Sequence, residues 1–400
     1  APTRRPCSLC CGLPAWLLAN GTTRLRTYAE PYISRVGRFW SVLLPLVEPL
    51  LYEHGGPIIM VQMENEYGSY GDVTQHPSDR RYMEHLVSLA RESLGPRVLL
   101  YTTDGGSMDY MRRGSLQGGA VLTVGDGCDH PDPNDTWAAQ KTFNPPGGSP
   151  FLCSELYPGW LTHWGERMAN TSTTKAANHL AAALDVGGGV GSANLYMVHG
   201  GTSFGWWAGA NGNGNASYAP DISSYDYDAP ISEGGEHGYA SDGDKYAALA
   251  AVLRRFNRGT PPPPPEPPLR PRIAFGAVRL EQAASLLANA VRMAPTAAAR
   301  GAKAPPAGVE SLGCYGGGFA HYAATLDAPI AGGGQLRLPR AQDRAQVFVQ
   351  YAAVSEPSYI GTIYRADPKH STLTMPALPA GSTVLVLLEL LGRINYGHGM

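Results

Sequence analysis

Charged residues are scarce in this 400-residue chain, and neither sign dominates. They make up 16% of the sequence, and 31 Lys and Arg against 33 Asp and Glu leave a formal net charge of -2. A protein that binds nucleic acid or an anionic membrane surface usually carries a basic excess, which this composition lacks. The sequence therefore predicts no nucleic-acid partner.

Long apolar runs and cysteines are scarce as well. No run approaches the roughly 18 apolar residues of a membrane-spanning helix, so we predict no membrane span, although 43% of the residues are hydrophobic. The six cysteines are too few for a disulfide scaffold. Cys7, Cys10 and Cys11 are spaced like one pair of zinc ligands, but no second pair follows, so no metal site is predicted.

Evidence on the cellular compartment is mixed. The chain begins Ala-Pro-Thr-Arg-Arg-Pro, without the initiating Met and the apolar segment of a secretory signal peptide. Four Asn-X-Ser/Thr sequons nevertheless fit a secretory chain, and they begin at Asn20, Asn134, Asn170 and Asn215. Either a signal has been removed or the true N-terminus is missing, and we prefer the second explanation.

Glycine and proline are abundant, with 49 and 34 residues, but they cluster in loops and in one tract at 260–268. A polyproline tract of this kind is a semi-rigid spacer. We therefore predict a linker at 259–271 between a first domain at 1–258 and a second at 272–400.

The first domain alternates short apolar runs with helical patterns. Because the runs are buried without strict alternation, they predict a parallel sheet flanked by helices. The five predicted strands cover 57–66, 98–105, 120–125, 151–157 and 193–201. A helix is predicted after an Asp244 cap, where apolar residues recur at helical spacing up to Phe256.

Polar residues stand at the carboxyl ends of all five predicted strands, including Asp104 and Asp126. A (β/α)8 barrel and an open doubly wound sheet both place their active sites at such ends. The spread over five strands favours a (β/α)8 TIM-type barrel. In the second domain, runs such as 344–351 and 382–391 among Gly- and Pro-rich turns predict a β-sandwich or jelly-roll-like domain.

Two carboxylates follow buried strands in a way that suits glycoside hydrolysis. The segment 55–68 ends in Glu-Asn-Glu-Tyr-Gly, and strand alternation predicts Gln62, Glu64 and Glu66 on one side. The segment 151–160 ends its strand with Glu155 before an aromatic loop. Hydrolysis of a glycosidic bond needs one carboxyl group to protonate the leaving oxygen and another to attack or activate water.

These two segments also carry a family resemblance. The string Gly-Gly-Pro-Ile-Ile…Gln…Glu-Asn-Glu-Tyr-Gly is similar to the signature of glycoside hydrolase family 35, the β-galactosidases. The resemblance continues through 99–105, 194–204, 224–230, 274–278 and 391–397, and so covers most of residues 12–400. It implies a catalytic barrel followed by β-sandwich modules.

The resemblance further implies a retaining exo-β-galactosidase acting on terminal β-galactosyl residues of glycans or oligosaccharides. It assigns Glu66 as acid/base on the family's fourth barrel strand and Glu155 as nucleophile on the seventh. Asn65, Trp160, Tyr196 and Tyr227 match positions that contact the sugar. No cofactor is implied, because carboxylate chemistry suffices. The family and the sequons together imply the secretory pathway, in a lysosome, a vacuole or the extracellular space.

The resemblance breaks off at Gly12, before the family's acidic and aromatic recognition stretch, and strands one to three of the barrel have no counterpart. We therefore expect a truncated or mis-spliced chain that shows strands four to eight. Open strand edges and exposed apolar surface follow from such a truncation. This predicts that the 400-residue chain folds poorly or is inactive.

Three alternatives stay open at this point. One is a related exo-β-glycosidase with the same carboxylates and a different sugar specificity. The others are a non-catalytic carbohydrate-binding homologue and an inactive fragment. The presence of both carboxylates speaks against the binding homologue, since a pure binding module does not need them.

Overall fold

The computed structural model describes most of the chain, with gaps. The described residues are 13–116, 118–128, 133–213, 218–238, 242–257, 273–287, 289, 306–313, 317–339, 341, 343–354, 356–365 and 371–398. The cysteines at 7, 10 and 11, the sequon at Asn215 and the predicted linker at 259–271 lie outside these ranges.

The chain divides into two compact units. The first consists of Ala1–Ser8, Asn20–Thr202 and Ser224–Pro261, and the second of Leu9–Ala19, Ser203–Ser223 and Pro262–Met400. Ser203–Ser223 group with the second unit because part of that segment forms strands with the end of the chain. The domain boundaries predicted at 258 and 272 stay a prediction.

Several of the described helices of the first unit begin directly after a residue whose side chain caps them. Ser172 and Asp244 accept the backbone N–H of Lys175 and Ala247, so the predicted Asp244 cap is confirmed. The helices are α1 (Tyr32–Val47), α2 (Tyr67–Tyr70), α3 (Pro77–Leu94), α4 (Met108–Gly114), α5 (Pro133–Phe143), α6 (Thr173–Gly189) and α7 (Lys245–Phe256).

A parallel sheet forms the centre of the first unit. Its strands are β1 (Met60–Gln62), β2 (Leu99–Gly105), β3 (Leu122–Asp126), β4 (Leu152–Leu156) and β5 (Ser192–Leu195). They pair in chain order, β1-β2-β3-β4-β5, and all four pairings are parallel. Because the order never reverses within the described residues, the sheet has no switch point and curls as half of a barrel. The complete eight-stranded barrel stays a prediction.

Helices α5, α6 and α7 bury their apolar faces on this sheet and on one another. One cluster joins Trp137 of α5 and Ala183 of α6 to Leu156 of β4. Another joins Leu180 of α6 to Leu249 of α7. Each fully buried side chain of this size stabilises the fold by about 2 kcal/mol, which holds the strand ends in place.

Six of the described strands of the second unit pair only in the antiparallel sense. They are β8 (Gly318–Thr325), β9 (Gly334–Arg337), β10 (Arg344–Gln350), β11 (Ser358–Tyr364), β12 (Thr372–Met375) and β13 (Thr383–Leu390). One sheet has the order β11-β10-β13-β8, and β12 pairs with β9. Val347 and Val349 of β10 share a core with Met375 of β12. The strands predicted at 344–351 and 382–391 are thus present, and a complete sandwich stays a prediction.

A small third sheet explains why Ser203–Ser223 group with the second unit. Strands β6 (Ala210–Asn213) and β7 (Tyr218–Pro220) form a hairpin, and β14 (Ile394–His398) pairs with β6. The Tyr218 hydroxyl donates to Asp343 at 2.7 Å and to the carbonyl oxygen of Gly392. The two segments are far apart in sequence, so no local pattern indicates this pairing.

Candidate active site

The backbone leaves the strand conformation directly after β1. Glu64 and Glu66 have φ values of 64° and 47°, in the left-handed region, and the Glu66 N–H donates to the carbonyl oxygen of Thr103 at 2.7 Å. The expectation that Gln62, Glu64 and Glu66 lie on one side of a strand is therefore wrong. The side chain of Glu64 pairs with Arg26 at 2.7 Å, whereas the carboxyl group of Glu66 lies close enough to Asp126 to raise the pKa of that aspartate.

Glu155 stands on β4, two residues before an aromatic loop. Its carboxylate Oε2 accepts a hydrogen bond from the Tyr157 hydroxyl at 2.9 Å, and its carbonyl oxygen accepts the N–H of Gly127. Burial raises the pKa of Glu155, the charge of Glu66 raises it further, and the hydrogen bond from Tyr157 opposes both effects. Glu66 and Glu155 are thus close enough to interact electrostatically.

Two buried aspartates complete a carboxyl cluster at the ends of β1 to β4. Asp126 and Asp104 are 3% and 0% exposed. Burial raises the pKa of Asp126 far above its usual range, and the neighbouring Glu66 and Glu155 add to this. Burial likewise raises the pKa of Asp104, whose Oδ1 accepts the N–H of Gly68 at 2.6 Å. Both aspartates therefore keep their protons to higher pH than a solvent-exposed aspartate does.

Four aromatic rings lie beside Glu155, and each of them contacts two others of the four. Ring centroids lie 5.6 Å apart for Tyr157 and Trp160, 6.0 Å for Trp160 and Tyr227, 5.8 Å for Tyr227 and Tyr196, and 6.1 Å for Tyr196 and Tyr157. Trp160 is 43% exposed, so one ring of the set faces solvent. The three predicted aromatic contacts thus come together.

The fourth ring, Tyr157, is absent from the predicted site residues. Its signal in the sequence is its position two residues after Glu155, because residues two apart lie on the same side of an extended strand end.

Asn65, the fourth predicted sugar contact, lies between the two left-handed glutamates. Its side-chain oxygen accepts a hydrogen bond from Gln62 Nε2 at 2.8 Å, and its N–H donates to Glu64 at 3.0 Å. The partners of Asn65 in these contacts are Gln62 and Glu64, and not residues of the aromatic ring set.

The loop that carries Tyr227 is anchored by the next residue, Asp228. Tyr227 and Asp228 both have positive φ values, 65° and 48°. The Asp228 carboxylate accepts hydrogen bonds from Lys245 Nζ at 2.7 Å and from the Thr171 hydroxyl at 2.8 Å. These contacts offset the cost of the left-handed backbone, which is about 1–2 kcal/mol for a non-glycine residue.

A disulfide joins Cys128, just after β3, to Cys153 on β4. The sequence does not indicate this pair, because the residues meet only when β3 and β4 lie side by side. Among the residues that the structure describes, no group of three or more His, Cys, Asp or Glu side chains is arranged to hold a metal ion. None of the described helices is long and apolar enough to cross a membrane.

A comparison with known protein families identifies the family to which these site residues belong. The family model of glycosyl hydrolases family 35 matches residues 10–256. The chain belongs to glycosyl hydrolases family 35. The matched region contains Glu66, Asp126 and Glu155, together with all four aromatic residues of the ring set.

Several curated relatives of the family-35 chain carry the name β-galactosidase. Beta-galactosidase 17 of Arabidopsis thaliana is 42% identical over 392 residues, which are 96% of this chain and 54% of the relative. Beta-galactosidase 8 of Oryza sativa subsp. japonica is 40% identical, with 96% and 55% covered. Beta-galactosidase of Homo sapiens is 35% identical, with 96% and 52% covered. The family-35 chain thus spans about half the length of these relatives.

Proposed function

We propose that the chain carries the catalytic residues of a retaining exo-β-galactosidase. The observation that supports this most directly is the pair Glu66 and Glu155, which lie in the turn after β1 and near the end of β4 and share Asp126 as a neighbour. Membership of family 35 and the names of the relatives supply the substrate class, a terminal β-galactosyl residue.

The proposed mechanism has two steps. First, a carboxylate oxygen of Glu155 bonds to the anomeric carbon while the glycosidic oxygen leaves and takes the proton of Glu66. Then Glu66 removes a proton from water, the water oxygen bonds to the anomeric carbon, and Glu155 is released. The Tyr157 hydroxyl orients the nucleophile at 2.9 Å. The exposed face of Trp160 and its neighbouring rings suits the apolar face of a sugar.

We also propose that the protein passes through the secretory pathway. The disulfide between Cys128 and Cys153 fits an oxidising compartment. Asn20, Asn134 and Asn170 are exposed, so three of the four sequons are accessible to glycosylation in the described residues.

The decisive experiment follows hydrolysis of aryl glycosides by this chain and by Glu155→Gln. Against the expectation of an inactive truncated chain, we expect under this proposal that the unmodified chain hydrolyses the β-galactoside. Turnover should fall by at least about 1000-fold in Glu155→Gln and should be unchanged in Glu84→Gln. Glu84 is an exposed residue of α3 paired with Arg80.

A mechanism-based 2-deoxy-2-fluorogalactosyl fluoride should then label the peptide that contains Glu155. Preference for another aryl glycoside would favour a different sugar specificity. Absence of turnover with every aryl glycoside would contradict the proposal.

A further inference from the structure

Residues 64–66 adopt a backbone conformation that their own side chains disfavour. Glu64 and Glu66 both lie in the left-handed region, at φ 64° and 47°. Each such residue costs about 1–2 kcal/mol, so the surroundings must impose the conformation. Without it, the chain would continue β1 and would carry Glu66 away from Asp126.

The strongest contact of this segment is a buried ion pair. Arg26 and Glu64 side chains are 3% and 11% exposed, and Arg26 donates from Nη2 at 2.7 Å and from Nε at 3.1 Å. Tyr82 donates its hydroxyl to Glu64 Oε1 at 2.7 Å, and the Asn65 N–H donates to Oε2 at 3.0 Å. Burial opposes ionisation, but Arg26 and these hydrogen bonds outweigh it and lower the pKa of Glu64. Glu64 thus stays ionised and has no proton to donate.

Arg26 also holds the backbone of the segment and is itself held. Its Nη2 donates to the carbonyl oxygen of Asn65 at 2.6 Å. Its guanidinium carbon lies 4.7 Å and 5.5 Å from the ring centroids of Tyr70 and Tyr67. Tyr70 returns a hydrogen bond from its hydroxyl to the carbonyl oxygen of Leu25 at 2.7 Å. Residues on both sides of Glu66 therefore close around one guanidinium group.

A second brace comes from the neighbouring strand. Tyr101 of β2 donates its hydroxyl to Gln62 Oε1 at 3.1 Å. Gln62 Nε2 then donates to the carbonyl oxygen of Glu64 at 2.9 Å and to Asn65 Oδ1 at 2.8 Å. The braces meet at Asn65, the residue before Glu66.

We propose that the ion pair of Arg26 and Glu64 positions Glu66 for proton transfer by holding Glu64 and Glu66 in the left-handed region on either side of Asn65. The inference rests on the proposed role of Glu66 as acid/base. Glu64 and Arg26 act through the backbone and touch no reacting atom. This assigns different roles to the two glutamates of Glu64-Asn65-Glu66.

The test uses Glu64→Gln in the full chain and compares leaving groups. A 2,4-dinitrophenyl leaving group departs without a proton, whereas phenol needs acid assistance. We expect kcat/KM for phenyl β-galactoside to fall by about 10- to 100-fold, because general acid catalysis contributes about 100-fold or more. For the dinitrophenyl substrate kcat/KM should change by less than about 3-fold.

Azide supplies a readout for the second step. Azide attacks the anomeric carbon of the galactosyl–Glu155 ester without needing a base, and the carbon–nitrogen bond forms as the ester bond breaks. It should therefore restore kcat of the variant on the dinitrophenyl substrate, for which only the second step is slowed. The matched control is Glu389→Gln, which removes the carboxylate of an ion pair with Arg344 at 2.6 Å in the second unit. That control should leave both substrates unaffected. An equal loss with both substrates, or no loss with either, would overturn the proposal.

Hydrogen exchange separates failure of this inference from failure of the proposed function. In Glu64→Gln the amides of Asn65 and Glu66 should exchange at least about 10-fold faster, because local opening becomes easier. Unchanged protection would refute positioning even if the chain hydrolyses no galactoside. If Glu64→Gln does not fold, Tyr82→Phe removes the hydrogen bond to Glu64, together with the longer one to Tyr32, but keeps the ion pair, and should give the same pattern with smaller changes.

Discussion

At the scale of single residues, the surroundings of each carboxyl group set its ionisation, which the sequence alone does not distinguish. Glu64 is ion-paired, Asp126 is buried with a raised pKa, and Glu155 is partly buried and accepts a hydrogen bond from a tyrosine. A carboxylate nucleophile must be ionised, and an acid must hold its proton. Partners rather than residue type therefore decide the role of each group.

Tyr157→Phe should shift the acid limb of activity. The hydroxyl stabilises the ionised form of Glu155, so its removal raises the pKa of Glu155 further. Since the nucleophile acts only when ionised, the acid limb of kcat/KM on an aryl β-galactoside should move to higher pH. Tyr110→Phe, at an exposed tyrosine of α4, is the control. A limb that stays in place or moves to lower pH would show that the hydrogen bond does not act on Glu155.

At the scale of elements, the site depends on loops that touch beyond the strand ends. The backbone N–H of Trp160 donates to the carbonyl oxygen of Tyr227 at 2.9 Å. A Cβ at Gly159 would overlap that same oxygen. The two loops can approach this closely only because residue 159 has no side chain.

Gly159→Ala should therefore separate the two loops. We expect the free energy of unfolding to fall by about 1–3 kcal/mol, as for other overpacked positions. KM for an aryl β-galactoside should rise, because Trp160 and Tyr227 move apart. Gly37→Ala is the matched control, since nothing lies within 4 Å of its added Cβ in α1, and it should stabilise the chain by about 0.4–1 kcal/mol. Equal behaviour of the two variants would contradict the predicted overlap.

The disulfide acts at the same scale, because it ties the ends of β3 and β4. Cys128 and Cys153 are 25 positions apart in the sequence, so replacing both by Ala should lower the free energy of unfolding by about 3 kcal/mol. Urea unfolding without reductant would measure this. Added reductant should destabilise the unmodified chain by a similar amount and leave the double variant unchanged. If reductant has no effect on the unmodified chain, the bond does not stabilise the fold.

At the scale of the whole molecule, buried acids make stability depend on pH. Asp104 and Asp126 in the first unit and Asp343 in the second all have raised pKa values, chiefly through burial. An acid whose pKa is higher in the folded state binds its proton more tightly there. Its stabilising contribution is complete below the unfolded pKa and is lost as pH rises through the folded one.

Asp343→Asn should remove part of this dependence. Burial raises the pKa of Asp343 from 3.8 to about 6, and a shift of about two units corresponds to about 3 kcal/mol. We expect the variant to match the unmodified chain below about pH 4 and to be more stable by up to about 3 kcal/mol at pH 7. Denaturant unfolding across that range measures the difference. Asp327→Asn, at an exposed acid, is the control, and a neutral-pH loss of stability in Asp343→Asn would contradict the assignment.

Local patterns were sufficient for the elements that depend on neighbours in sequence. Apolar runs predicted five parallel strands, Asp244 predicted the start of α7, and Glu66 and Glu155 were placed just after or at the ends of strands. These features follow from periodicity, capping and strand direction, which operate over a few residues. The family resemblance also came from short contiguous motifs.

Contacts between residues distant in sequence determined the features that the sequence did not predict. The partner of Glu64 is 38 residues away in sequence, the Cys128–Cys153 bond needs two adjacent strands, and Tyr218 reaches Asp343 across 125 residues. Burial and neighbouring charge then set which carboxyl groups keep a proton. Such contacts depend on how distant segments pack, and periodicity within one segment contains no information about its distant neighbour.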